Sequence, residues 1–132
     1  MKFVIYYHKD TFTSGQILEA ALNQEFAGVE HQVFQTFNGL KERFKQICNY
    51  NEKEIFIILA DSRGRLEELT TLIDLMEDKR LILILFDESK ATLSKASRFF
   101  PRFCTKISSN YGDLCKVLNK MTATPENIIN KL

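Results

Sequence analysis

Five short apolar runs divide the chain: Lys2–Tyr7, Gln32–Phe37, Glu54–Ala60, Arg80–Phe86 and Arg102–Ile107. Two of them contain the continuous stretches IFIILA and LILILF, the pattern of strands buried on both faces. Each run is followed by residues at helical spacing. Ser14–Phe26 offers Ile17, Leu18, Ala21 and Leu22, and Asn38–Cys48 offers Leu40, Phe44, Ile47 and Cys48. A third helix is predicted from Ser62 or Gly64, with Leu66, Leu69, Ile73 and Met76 on one face. The fourth, Ser89–Phe99, shows Ala91, Leu93 and Ala96, and Pro101 ends it. The fifth, Tyr111–Met121, has the clearest stripe, with Leu114, Val117, Leu118 and Met121 at i, i+3, i+4 and i+7.

Strict strand–helix alternation predicts an α/β fold: a doubly wound five-stranded parallel sheet with right-handed crossovers and helices on both faces. At this length the flavodoxin-like strand order 2-1-3-4-5 is the expectation. The 132 residues suit a single core, read as one α/β domain over 1–123. Residues 124–132 read as a short helical extension, Pro125–Lys131, with Thr124 as its N-cap.

Composition narrows the function classes. A 45% apolar content with a net charge of +1 excludes disorder. Eighteen basic against 17 acidic residues argue against nucleic acid as a partner. The balance is a cancellation, however. Residues 89–132 hold eight Lys/Arg and two Asp/Glu, or +6, which leaves −5 on the first 88. Two readings stand: solvated helix faces, or a basic docking surface in the last third.

Cys48, Cys104 and Cys115 form neither a zinc pattern nor a disulfide framework. Cys115 on an apolar stripe and Cys104 in an apolar strand read as small core residues. The N-terminus lacks signal-peptide features, and no run approaches the ~20 apolar residues of a membrane span. A reducing cytoplasm is the expected compartment, with no membrane partner.

In open α/β sheets ligands bind outside the carboxyl ends of the strands, at the switch between strands 1 and 3. Those ends deliver Tyr7, His8, Lys9 and Asp10, then Asp61, Ser62 and Arg63, then Phe86, Asp87 and Glu88, and finally Lys106 and Ser108. Asp61, Asp87 and Lys106 are the charged residues expected to converge, as a functional site or as a simple ion pair.

Over residues 2–122 the chain resembles the receiver domain of bacterial response regulators. FIILAD places Asp61 at that family's phospho-acceptor position, and RFCTKISSNYGDLCKVLNKM places Lys106 at its strand 5 lysine. TFNGLKERFKQI resembles the family's passage from strand 2 to helix 2. Elsewhere the chain departs from the pattern. Tyr7 and His8 replace the acidic pair that holds Mg²⁺, leaving Asp10 and Asp61 as weak metal candidates. Phe86 replaces the Thr/Ser, and Ile107 the proline.

The resemblance therefore implies an atypical, stand-alone receiver-like signalling module without catalytic residues. Asp61 is its candidate acceptor, phosphorylated weakly if at all, and Lys106 its candidate phosphate contact. Tyr7, His8, Asp10, Phe86 and Asp87 form the pocket rim. Receivers present helix 4, strand 5 and helix 5 to partners, which here means Lys90, Lys95, Arg98, Arg102, Phe103, Lys116 and Lys120. The implied partner is another signalling protein or a second copy, with no cofactor required and Mg²⁺ only weakly indicated.

Two alternatives remain open. One is a functional phospho-accepting receiver. The other is a small flavodoxin-like FMN-binding protein, since Thr11–Gly15 faintly resembles a phosphate loop. Against FMN, the chain has no tryptophan, and Thr13 or Ser14 reads more simply as an N-cap. His8 reads first as a ring packed or hydrogen-bonded locally, and otherwise as a phospho-carrier or general base. No nucleotide or hydrolase motif occurs, so no small-molecule substrate is indicated.

Overall fold

The computed structural model describes residues 1–46 and 53–123. The apolar runs become β1 (Lys2–Tyr6), β2 (Glu30–Phe34), β3 (Glu54–Ala60), β4 (Arg80–Leu85) and β5 (Phe103–Lys106). All pairs are parallel in the order β2-β1-β3-β4-β5, the flavodoxin-like arrangement. The continuous runs lie at the centre: every residue of β3 is buried, as is β4 from Leu81 onward. Edge strand β2 is half exposed and polar.

The helices are α1 (Phe12–Glu25), α2 (Phe37–Lys45), α3 (Arg63–Thr70), α4 (Ile73–Met76), α5 (Lys90–Ser97) and α6 (Gly112–Thr122). Strand side chains alternate between two layers. Phe3, Ile5, Ile57 and Ile84 pack under α1 and α6, against Leu18, Leu22, Leu114 and Leu118. Val4, Tyr6, Phe56, Ile58 and Leu83 pack under α2 to α5, against Leu40, Phe44, Leu66, Leu69, Met76 and Ala96. Side-chain caps start three helices. Thr36 accepts from the Gly39 amide, Ser62 from Arg65 and Ser89 from Thr92.

Several boundaries differ from expectation, and α2 ends at Lys45 rather than Cys48. β2 begins two residues earlier than Gln32, because its polar start, Glu30-His31, hides an edge strand. Thr36 and Phe37 then belong to the start of α2. α1 begins at Phe12 rather than Ser14. Its N-cap is Thr11, whose side chain makes no capping bond, so neither Thr13 nor Ser14 caps the helix. The third helix breaks in two. The Thr70 and Thr71 hydroxyls donate back to the Glu67 and Glu68 carbonyls, competing with the helical ladder. Backbone pairing extends β5 at both ends, since the Arg102 and Ile107 amides donate to Leu81 and Leu85.

Ile47, Cys48 and the extension Pro125–Lys131 lie outside the described residues. Among the described residues, no helix is long and apolar enough to cross a membrane. Among the described residues, two that are not glycine have left-handed backbone, Asp78 (φ 68°) and Phe100 (φ 49°). Asp accepts that region readily, whereas for a bulky side chain it costs about 1–2 kcal/mol.

Candidate functional site

At the carboxyl end of the sheet, β1 and β3 lie side by side and direct their following loops to one place. His8 caps the 3-10 turn Lys9–Thr11, its Nδ1 accepting from the Asp10 amide at 3.1 Å. That hydrogen bond makes His8 a local structural ring. The turn brings the Thr11 hydroxyl to Asp61, where Oγ1 donates to Oδ2 at 2.6 Å.

From the other side comes Arg65, four residues beyond Asp61 at the start of α3. Its Nε lies 3.3 Å from Asp61 Oδ1, and its Nη2 donates to Asp10 Oδ2 at 3.2 Å. One guanidinium thus bridges both carboxylates, and its fixed planar fork suits that role. Beneath it, the Tyr6 hydroxyl, Asp61 Oδ1 and Glu68 Oε1 are enclosed without a hydrogen-bond partner among the described residues. Burial, reinforced by the charges of Glu68 and Asp61 and opposed by Arg65, pushes the Tyr6 hydroxyl up to about 12.

The expected convergence of Asp61, Asp87 and Lys106 is replaced by separate local pairings. Asp61 belongs to Thr11 and Arg65. Asp87 turns to the start of α5 and accepts from the Ser89 amide at 3.1 Å. A hydrogen bond from Thr92 and this Ser89 contact hold its carboxyl below the usual range. Lys106, at the end of an edge strand two positions from β3, is exposed and makes no ion pair among the described residues. Chain distance explains the difference: α3 follows Asp61 immediately, so Arg65 arrives within one helical turn.

Tyr7, expected on the rim, is fully buried under α1, its hydroxyl bonded to Glu19, Gln16 and Gln35. Burial, and secondarily Glu19, raises its pKa. Phe86 is half-buried against the α2–α5 layer. The residues that would hold Mg²⁺ do not fit it. Asp10 and Asp61 share Arg65, and among the described residues no three His, Cys, Asp or Glu side chains gather as a metal site. Mg²⁺ demands about six oxygen ligands in a near-octahedral shell. For a phosphate loop the signs are equally poor, since Thr11 is taken by Asp61 and Gly15 faces the Tyr7 ring.

Helices α5 and α6 flank the β5 edge from opposite layers. Lys90, Arg98, Arg102, Lys116 and Lys120 are exposed there and form no ion pair among the described residues. Lys95 differs, pairing with Glu67 of α3 and lowering that carboxyl. Phe103 is partly buried against the α1–α6 layer, so it contributes to packing beneath this face. A shallow groove of about 240 Å³ runs between α5 and β5, bordered by Leu85, Glu88, Leu93, Cys104 and Thr105. Burial raises the thiols of both Cys104 and Cys115.

Sequence reasoning missed Arg65, Tyr6 and Glu68. The available signal was the Asp61-to-Arg65 spacing of four across a Ser62 cap, which places both ends on one side of a first helical turn. No protein-family model, no curated protein and no solved structure matches the chain.

Proposed function

We propose that this chain is a receiver-like signalling module that acts through protein contacts and not through phosphoryl transfer. One observation carries the reading: Arg65 bridges Asp10 and Asp61 where the receiver resemblance calls for a metal ion. A phospho-acceptor needs a free carboxylate oxygen, a metal to neutralise developing charge and a path for in-line attack. Here Asp61 Oδ2 is bonded to Thr11, and Oδ1 is enclosed beside Arg65. The internal guanidinium supplies charge compensation permanently, so the loops need no added phosphate or metal to be held together.

Contact falls to the α5–β5–α6 face. Its cations, most of which form no ion pair among the described residues, favour an acidic partner, giving association rate more than affinity. The test has two arms. Incubation with acetyl phosphate and Mg²⁺, followed by intact-mass analysis, is expected to add no phosphoryl group. A shift in the wild type that disappears in Asp61→Asn overturns the reading. Titration with an oligo-glutamate peptide, followed by NMR, is expected to shift Lys90, Arg102, Lys116 and Lys120 and to fade as salt rises. Shifts elsewhere, or none, remove the assigned face.

A further inference from the structure

At the amino end of the strands, opposite Asp61, a depression of about 350 Å³ opens between the turn before β4 and the turn before β5. Ile73, Met76 and Phe99 supply its apolar lining, beside charged residues. An apolar cavity of about 150 Å³ already holds a benzene ring, so there is room for an aromatic side chain. On its border stands Phe100, which is 87% exposed.

Phe100 is the more telling feature. Its backbone is left-handed at φ 49°, and Pro101 follows it, a combination disfavoured for a bulky residue. The phenyl ring recovers almost nothing from its own chain, since it stands in solvent. Such a strained residue, held outward by a helix end, points to a role at a surface. The opposite lip adds Asp78, also left-handed, together with Asp74, Glu77 and Lys79, so its net charge is negative. Among the described residues these three carboxylates and Arg98 form no ion pair, although they border one depression.

This patch carries both halves of a contact: an aromatic knob with an apolar hole, and an acidic lip with a basic one. A two-fold interface requires that kind of self-complementarity, because each patch meets its own copy. The division of the chain into −5 and +6 portions has the same sense. At this depression the excess of carboxylates disfavours a purely acidic partner.

We infer that a second copy of this chain is the occupant. In the symmetric dimer Phe100 of each copy enters the other's depression, and Arg98 of each faces the other's Asp74, Glu77 and Asp78. The contact lies away from Asp61 and stands independently of the phosphorylation reading, so a phosphorylated protein leaves it untouched.

Sedimentation velocity of the full chain over a concentration series tests this. The wild type is expected to sediment as a reversible dimer. Phe100→Gly relieves the backbone strain, so the fold is expected to be at least as stable by urea unfolding. The same variant is expected to weaken association about tenfold or more, as loss of a central aromatic anchor does. Arg98→Glu and Glu77→Arg are each expected to weaken the dimer, and the double exchange to restore part of it. A wild type that stays monomeric overturns the inference. So does a dimer unchanged by Phe100→Gly, or an assembly that grows beyond two copies.

Discussion

Gly15 shows how little tolerance single positions have under α1. A Cβ built there would lie 2.2 Å from Tyr7 Cδ2 and 2.3 Å from Cε2. The ring cannot withdraw freely, since it is fully buried and its hydroxyl is bonded to Glu19, Gln16 and Gln35. Alanine is the better helix former by about 0.8–1.0 kcal/mol, yet overpacking a tight core typically costs about 1–3 kcal/mol or more. The steric term wins. Gly15→Ala is therefore expected to lower the urea midpoint, whereas Gly28→Ala, with nothing within 4 Å, is expected to leave it nearly unchanged. Equal midpoints for the two variants would show that α1 can move off the sheet.

At the level of elements, α2 is tied to β3 by a buried charge pair. Arg43 and Glu54 are 5% and 9% exposed and form a direct ion pair. Arg43 Nε also donates to Gln32 Oε1 at 2.9 Å, and its guanidinium lies 5.7 Å from the Phe56 ring centroid. Breaking a buried ion pair by removing one member typically costs about 3–5 kcal/mol. Arg43→Leu and Glu54→Leu are each expected to reduce stability by that order in urea unfolding. The double variant is expected to lose much less than their sum, and strict additivity would mean that the pair is not coupled. Neither residue stood out in the sequence, where Arg43 was one helix charge among several and Glu54 merely began a strand. Continuous apolar runs made β3 and β4 legible, because burial on both faces leaves no room for polar residues. Edge strand β2 was blurred because half of it meets water. The candidate site was legible only in part. Strand ends named Asp61 and Asp10, but their partner was fixed by the helix start at Ser62, which brought Arg65 and not Lys106 to the carboxylates.

For the whole molecule, the buried tyrosines link both layers to pH. Tyr6 lies in the α2–α5 layer, and Tyr7 and Tyr111 lie in the α1–α6 layer. Burial is the leading cause that raises all three hydroxyls, and it carries Tyr6 from 10.0 to about 12. Below pH 10 these phenols are protonated in folded and unfolded chains alike, so they add no pH dependence. Above it the unfolded chain releases protons that the folded one retains. The unfolded state then binds fewer protons, and stability falls as pH rises. For Tyr6 the loss spans roughly pH 10 to 12 and then levels off. At about 1.4 kcal/mol per pKa unit it amounts to about 2–3 kcal/mol. Tyr6→Phe removes a hydroxyl that has no hydrogen-bond partner among the described residues, so at neutral pH it is expected to be neutral or mildly stabilising. Urea midpoints measured from neutral pH to pH 12 check both statements. The variant is expected to lose less stability above pH 10 than the wild type, with the remaining decline due to Tyr7 and Tyr111. If both decline in parallel, the Tyr6 hydroxyl ionises as readily in the folded chain as in the unfolded one, and the enclosed polar cluster beneath Arg65 is open to water.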